Sequence, residues 1–156
     1  MFKLQPCDAS FFETAPQKHR YTLDLPVPPE QVWFDLTSDD PLGWCRLLSG
    51  RWTSKRPYGV GTTRDMAVGK LLRLKEEFIV WEEGKRYSFM VTEANLPVFR
   101  RFAEDYRIEP TILGSQFVWT FAYEPAPQVR PAIAMRLPNE ALFRTFISDT
   151  KRHYRR

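Results

Sequence analysis

The segment QFVWTFAYE at residues 116–124 and the segment PNEALFRTFISDTKRHY at residues 138–154 decide the fold. Rings occupy every second position in the first segment, and this two-residue period is typical of a β-strand. Apolar residues in the second segment recur three or four positions apart, which is the spacing of an amphipathic helix. Together they predict a strand whose aromatic face packs against a long C-terminal helix.

The two-residue period continues upstream of this strand. We predict further strands at residues 19–27, 51–55, 62–68, 71–82, 85–94 and 98–109. Short connections join the last six strands of the chain, so these strands should be antiparallel. The prolines at 28 and 29 and the Asp-Asp-Pro at 39–41 predict two short helices, at residues 30–38 and 42–48. The expected fold is α+β, with a seven-stranded antiparallel sheet and one long helix.

The length of 156 residues corresponds to one domain. We predict a single domain at residues 19–156 and an N-terminal arm at residues 1–18, in which Phe11 and Phe12 are the expected anchors. No stretch of 18 apolar residues is present, so no transmembrane segment is expected, and the first ten residues do not resemble a signal peptide. Cys7 and Cys45 provide no disulfide framework, which indicates a cytoplasmic protein with reduced thiols.

The net charge of +4 does not by itself indicate a nucleic-acid partner, because acidic and basic residues alternate along most of the chain. The clearest basic cluster ends the predicted C-terminal helix, where cations complement the helix dipole. It consists of Lys151, Arg152, His153, Arg155 and Arg156. We therefore expect no nucleic-acid partner, and a homodimer is left open.

The aromatic content is the unusual feature of the composition, with 12 Phe, 6 Tyr and 5 Trp. Such an excess indicates either a core packed with rings or a cavity lined by them, and alternating rings occur more often in plain cores. The predicted ligand-binding residues share the inward phase of the strands and one face of the last helix. They are Phe78, Tyr87, Phe89, Phe102, Tyr106, Phe117, Trp119, Phe121, Phe143 and Phe146.

Charged residues occur on the same inward phase as the rings. Glu104 and Arg100 alternate with Phe102 and Tyr106, and Glu76 and Arg64 are in phase with other inward positions. A buried carboxylate is costly unless it is paired. We therefore predict an interior polar group of Glu104 with Arg64 or Arg100, and with Glu76, unless a β-bulge turns these charges outward.

Catalytic motifs are scarce in this sequence. The histidines, His19 and His153, are expected to be exposed near the chain ends, and no cluster has the spacing of a metal site. The GVG at residues 59–61 lacks the third glycine of a dinucleotide fingerprint and precedes a strand. We predict no cofactor and no metal.

The order of elements resembles the START-like, or Bet v 1-like, helix-grip superfamily (SRPBCC), and most of all its bacterial polyketide cyclase/dehydrase and lipid-transport branch. The resemblance covers residues 19–155. It depends on Pro29, Val32-Trp33, Leu36-Thr37 and Trp44, on Tyr58-Gly59-Val60-Gly61-Thr62, on residues 81–87, and on residues 114–119. It implies a curved sheet wrapped around the C-terminal helix, with a hydrophobic cavity between them for lipids, polyketides or other aromatic molecules.

Three functional interpretations follow. The first, which the scarcity of catalytic motifs favours, is a non-enzymatic carrier or sensor of a hydrophobic or aromatic small molecule. The second is a cyclase- or dehydratase-like enzyme using acid/base chemistry, with Glu104, Arg64 and Tyr106 as candidates. The third is an interaction module whose basic C-terminal helix binds an acidic protein or membrane surface.

Overall fold

A computed structural model describes residues 1–155. The strands are β1 (Phe2–Lys3), β2 (Gln17–Leu25), β3 (Leu48–Trp52), β4 (Thr63–Val68), β5 (Leu72–Glu82), β6 (Arg86–Ala94), β7 (Phe99–Thr111) and β8 (Gly114–Pro125). The helices are α1 (Phe11–Thr14), α2 (Pro29–Leu36) and α3 (Arg136–Tyr154), and a 3₁₀ turn (Ala132–Met135) leads directly into α3.

The sheet is antiparallel throughout and has the strand order β2-β8-β7-β6-β5-β4-β3. The predicted seven-stranded sheet and α+β fold are therefore confirmed. The short strand β1 is an addition, and it pairs with the end of β6 at Ala94 and Glu93, beyond the last residue pair that joins β6 to β7. None of the helices in residues 1–155 is both long enough and apolar enough to cross a membrane.

The hairpin between β7 and β8 requires a glycine at the point where β8 begins beside the end of β2. Gly114 has a φ of 151° and opens β8, directly against the end of β2. A Cβ at this position would overlap the carbonyl oxygen of Leu25. Only a residue without a side chain allows this close backbone approach.

The second predicted short helix, at residues 42–48, is wrong. Helix α2 forms as expected behind Pro28 and Pro29, but residues 41–47 form consecutive turns. Leu42 has a φ of 59°, a left-handed conformation that a right-handed helix does not contain. Its side chain is nevertheless buried, so this turn brings an apolar group into the interior.

Helix α3 packs on the concave face of the sheet with the apolar side that its sequence predicts. Pro138 does not break the helix, because it lies in the first turn, where proline is tolerated. The ring of Phe143 stacks on that of Phe121 in β8, with 3.9 Å between centroids and an 8° interplanar angle. At the other end, Tyr154 is buried and its hydroxyl donates to Asp35 of α2 at 2.7 Å.

The N-terminal residues lie on the opposite, convex face of the sheet. Phe11 is buried there in a small cluster with Ala103 and Ala122. The Arg101 guanidinium covers the Phe11 ring, with Cζ at 4.5 Å from its centroid, while Phe12 is only partly buried. The outward-facing residues Ala103 and Ala122 of β7 and β8 are thus small and apolar where the N-terminal arm covers them.

A candidate ligand-binding cavity

A cavity of about 190 Å³ lies between the concave face of the sheet and helix α3. Its wall is formed by β3 to β8, by α3 and by three connecting segments. Six of the ten predicted ligand-binding residues line it, namely Phe89, Phe102, Tyr106, Trp119, Phe143 and Phe146. All three residues predicted as acid/base candidates, Glu104, Arg64 and Tyr106, also line it.

The other four predicted ring residues, Phe78, Tyr87, Phe117 and Phe121, are fully buried but are not part of the cavity wall. They pack beside rings of the wall on the same face of the sheet. Phe117 and Phe121 lie next to Trp119, with ring centroids 5.5 and 5.1 Å away. They therefore position rings of the wall without touching the cavity.

The remaining twelve residues of the wall, most of them aliphatic, are not among the residues that the sequence predicted for the site. These residues come from the turn after α2, from β3 to β5, from the β6–β7 loop, from the start of β7, from the 3₁₀ turn and from α3. They are Leu42, Leu48, Met66, Val68, Leu72, Leu74, Leu96, Val98, Phe99, Met135, Asn139 and Leu142. The inward phase of β4 and β5 could have identified those on strands, but the loop residues have no period.

Glu104 is the central polar group of the cavity wall. Its Oε1 accepts hydrogen bonds from the Tyr106 hydroxyl at 2.9 Å and from the Trp119 indole at 2.8 Å. Burial, and next the nearby charge of Glu76, raise the pKa of Glu104 to about 8. At this pKa the carboxyl group is mostly protonated at neutral pH, and Oε2 is the oxygen that makes no hydrogen bond within residues 1–155.

Arg64 and Glu76 form a buried ion pair beside Glu104. They are opposite each other on β4 and β5, and Arg64 Nε donates to Glu76 Oε1 at 2.7 Å. Burial raises the pKa of Glu76, and the Arg64 charge limits the rise. For Arg64, burial acts to lower the pKa, but Glu76 and the surrounding phenols outweigh it and the net shift is upward.

The ion pair leaves most of the Arg64 guanidinium without a polar partner. Both terminal nitrogens are buried and make no hydrogen bond within residues 1–155. Instead, Arg64 Cζ lies 5.0 Å from the ring centroid of Phe78 and 4.9 Å from that of Phe89. These cation–π contacts compensate part of the desolvation of the charge but satisfy none of its N–H donors.

The prediction that Arg100 could join this interior group is wrong. A β-bulge lies between Phe99 and Arg101, so the phase of β7 shifts there. Phe99 reaches the cavity and Arg100 is exposed. Beyond the bulge, Phe102, Glu104 and Tyr106 keep the predicted inward phase.

The prediction that His19 is exposed is also wrong. His19 is buried between β8 and α3, because β2 lies beside β8 under the start of the helix. Its Nε2 is 3.0 Å from the Tyr123 hydroxyl, and its ring packs on that of Phe143. Burial, and next the charge of Arg136, lower the pKa of His19.

The described residues contain neither a metal-binding cluster nor an activated thiol. No group of three His, Cys, Asp or Glu side chains there could hold a metal ion. Both cysteines are free thiols, and burial raises the pKa of Cys7 to about 11 and that of Cys45 to about 12. Neither thiol is therefore a thiolate at neutral pH.

Part of the basic C-terminal cluster interacts with the protein itself. Arg152 pairs with Asp149 at 3.2 Å, and the His153 ring stacks on Trp44 with 4.8 Å between centroids. Lys151 and Arg155 are exposed, whereas Arg156 lies outside the described residues. The charge of Arg152 is thus partly compensated within the protein itself.

Comparisons with known proteins agree with this architecture. An uncharacterised protein of Mycobacterium tuberculosis is 37% identical over 159 residues, covering 96% of this chain and 93% of that protein. A START superfamily protein from Mycobacterium smegmatis superimposes with a TM-score of 0.72 at 10% identity, over 88% of this chain and 97% of the other. Ginseng major latex-like protein 151 from Panax ginseng gives 0.66 at 14% identity, over 88% and 97%.

The two structural similarities, at such low identity, show a shared fold only. The family assignment comes from residues 16–155, which match the family described as polyketide cyclase / dehydrase and lipid transport. That match spans all the long strands of the sheet and helix α3, and hence every wall of the cavity. The chain belongs to the polyketide cyclase/dehydrase and lipid transport family, and it shares its fold with a START superfamily protein.

Proposed function

We propose that this chain is a non-enzymatic carrier or sensor that takes a small apolar or aromatic molecule into the cavity between the sheet and helix α3. The observation that carries the proposal is the cavity itself, whose wall is almost entirely apolar and aromatic. Burying an apolar ligand there would release about 25 cal/mol per Å² of apolar surface removed from water. A few polar groups would then fix its orientation.

The volume of the cavity limits the size of the ligand. A dry cavity of about 150 Å³ can hold benzene, whereas pockets for drug-sized ligands span roughly 300–1,000 Å³. At about 190 Å³ the cavity accommodates a single ring with a short substituent. A larger ligand such as a fused polyketide or a lipid chain would require α3 or the β6–β7 loop to move outward.

Two measurements test the proposal. Native mass spectrometry of the protein purified from its own host should show a retained small molecule. Titration with toluene should show saturable binding, which Leu142→Trp should weaken at least tenfold, because Leu142 lines the cavity. Leu137→Trp is the matched control, since Leu137 lies on the same helix, is 75% exposed and does not line the cavity.

A protein that carries no molecule from its host and does not bind toluene would refute the proposal. Equal weakening by both tryptophan variants would also count against it, because that result indicates a general change in α3 rather than a filled cavity.

One observation favours an enzyme as a second candidate function. The raised pKa of Glu104, at about 8, leaves a proton poised for transfer inside an apolar cavity. An enzyme predicts that Glu104→Gln abolishes turnover of a bound substrate while ligand affinity changes little. If the protein is a carrier or sensor, neither the wild type nor this variant converts the bound molecule.

A further inference from the structure

The N-terminal strand β1 occupies a gap that the ends of β6 and β7 leave between them. These two strands stop pairing after Met90 and Ala103. Beyond that point, Ala94 of β6 pairs with Leu74 of β5 on one side and with Phe2 of β1 on the other. The first residues of the chain therefore take the place that β7 would have beside β6.

Leu4 closes this gap towards the interior of the protein. Its amide donates to the Thr92 carbonyl of β6 at 3.0 Å, and its side chain is only 9% exposed. Leu4 packs in the main core cluster, to which Leu74 of the cavity wall also belongs, whereas Phe11 of the same arm lies on the convex face. The arm therefore contributes one buried side chain to the cavity side of the sheet.

A surface groove on the other side of β1 shares a wall residue with the cavity. The groove lies between the N-terminal strand and the start of β7, and Phe2, Gln5 and Arg100 are among the residues that line it. Phe99 lines both this groove and the cavity. The Phe99 ring is only partly buried and thus forms a partition between the groove and the cavity.

Residues 1–5 are attached to the sheet by few contacts. The strand β1 is two residues long, and Phe2 is 51% exposed. Within residues 1–155, the backbone of this segment makes one hydrogen bond to β7, from Gln5 to Arg100 at 2.8 Å. Segments with few buried contacts and solvent-exposed hydrogen bonds open at free energies well below that of global unfolding. Phe11 is buried farther along the arm, so residues 1–5 can leave the gap while the rest of the arm stays on the sheet.

Resting on the cavity binding proposed above, we infer that residues 1–5 are a gate, and that the ligand enters and leaves between β1 and β7, past Leu4 and Phe99. Moving β1 out of the gap and turning the Phe99 ring would join the groove to the cavity. Movements of this kind often limit the rates of ligand uptake and release. A gate that is closed both before and after binding changes the two rates by the same factor and leaves the affinity unchanged, because it contributes equally to the free and the bound protein.

A reversible crosslink across the gate tests this inference. Lys3 and Glu93 are directly opposite each other on β1 and β6. Opposite residues of antiparallel strands have Cα atoms about 4.5–5.5 Å apart, which is within the range of a disulfide. Lys3→Cys with Glu93→Cys, in a Cys7→Ser background, therefore locks β1 in place when oxidised and frees it when reduced. Exchange NMR with toluene should show association and dissociation rate constants at least about tenfold lower in the oxidised form, with a Kd that differs by less than about twofold.

Arg51→Cys with Asp65→Cys, in the same Cys7→Ser background, is the matched control. These two residues are opposite each other on β3 and β4, form an exposed ion pair and do not line the cavity. Oxidation of this control should leave the exchange of toluene unchanged. Equal slowing in both crosslinked proteins would overturn the gate, because a general stiffening of the sheet would then explain the result.

A second variant opens the gate instead of locking it. Leu4→Ala removes the side chain that fills the gap and should raise both rate constants at least about threefold. If toluene binds to none of these proteins, the proposed function itself fails. If toluene binds but exchanges at the same rate in the oxidised and reduced forms, or if Leu4→Ala leaves its exchange unchanged, the cavity is a binding site and the gate is overturned.

Discussion

The environment of Glu104 predicts an unusual dependence of stability on pH. Its pKa is about 8 in the folded protein against an ordinary value of 4.5, so the folded state holds a proton that the unfolded chain releases. This contribution to stability is fully present below pH 4.5 and is lost as the pH rises through 8. A difference of 3.5 pKa units corresponds to about 5 kcal/mol in total, of which about 3 to 4 kcal/mol is lost between pH 5 and pH 8.

Glu104→Gln isolates this effect because the amide has nearly the same shape and carries no titrating proton. Its oxygen can still accept from Tyr106 and Trp119, and its nitrogen replaces the donor that faces the cavity. Glu76 and Arg64, the charged groups that face position 104 from β5 and β4, remain in place. The variant should match the wild type at pH 5 and exceed its free energy of unfolding by about 3 to 4 kcal/mol at pH 8.

The assay is urea denaturation of both proteins at pH 5, 6, 7 and 8 and constant ionic strength. Glu109→Gln is the matched control, since Glu109 is an exposed carboxylate on the same strand, and its curve should run parallel to that of the wild type. If the Glu104→Gln and wild-type curves also stay parallel within about 1 kcal/mol, Glu104 is ionised and solvated. The description of Glu104 as a desolvated, proton-bearing group of the cavity wall would then be refuted.

Three further substitutions test the fold that surrounds the cavity. Gly114→Ala should lower the free energy of unfolding by roughly 2 to 3 kcal/mol, because a Cβ there overlaps the Leu25 carbonyl; a neutral result in urea denaturation would contradict this close approach. Phe143→Ala should cost about 3 to 5 kcal/mol in the same assay, since the ring is buried and stacked on Phe121, and a loss below 1 kcal/mol would exclude that packing. Tyr154→Phe should cost about 1 kcal/mol through loss of its hydrogen bond to α2, and an unchanged midpoint would show that the bond does not form in solution.

The strands and the long helix follow from sequence periods alone. The two-residue alternation at residues 116–124 and the helical spacing at residues 138–154 correspond closely to β8 and α3. Glu104 falls on the cavity side because β7 keeps a regular phase from Phe102 to Ile108. Regular alternation therefore determines which side chains face inward.

The errors arise where backbone conformation changes over one or two residues. The bulge before Arg101 exposes Arg100, and no residue type in this segment predicts the bulge. Leu42 adopts a left-handed conformation that apolar spacing at residues 42–48 does not reveal, since that spacing equally fits a helix. Such features depend on tertiary packing, so a local pattern cannot predict them.

Some of the aromatic residues line the cavity and others fill the core beside it, and the sequence does not distinguish the two groups. Phe89 and Trp119 face the cavity, whereas Phe78 and Phe117 are covered by other rings beside it, although all four have the same inward phase. Phe117 and Trp119 belong to the same strand, so the difference depends on what packs opposite each position. The period of the sequence predicts the face of the sheet on which a side chain lies, but it does not predict what packs opposite that side chain.

The most direct test of the central claim, that the cavity takes up a small apolar molecule, is methyl NMR of the four methionines during titration with toluene. Met66 and Met135 line the cavity, whereas Met1 is exposed and Met90 is not part of the cavity wall. The account predicts saturable shifts and contacts from the probe at Met66 and Met135, with Met90 and Met1 unchanged. Unchanged signals from Met66 and Met135, or a response confined to Met1 and Met90, would contradict it.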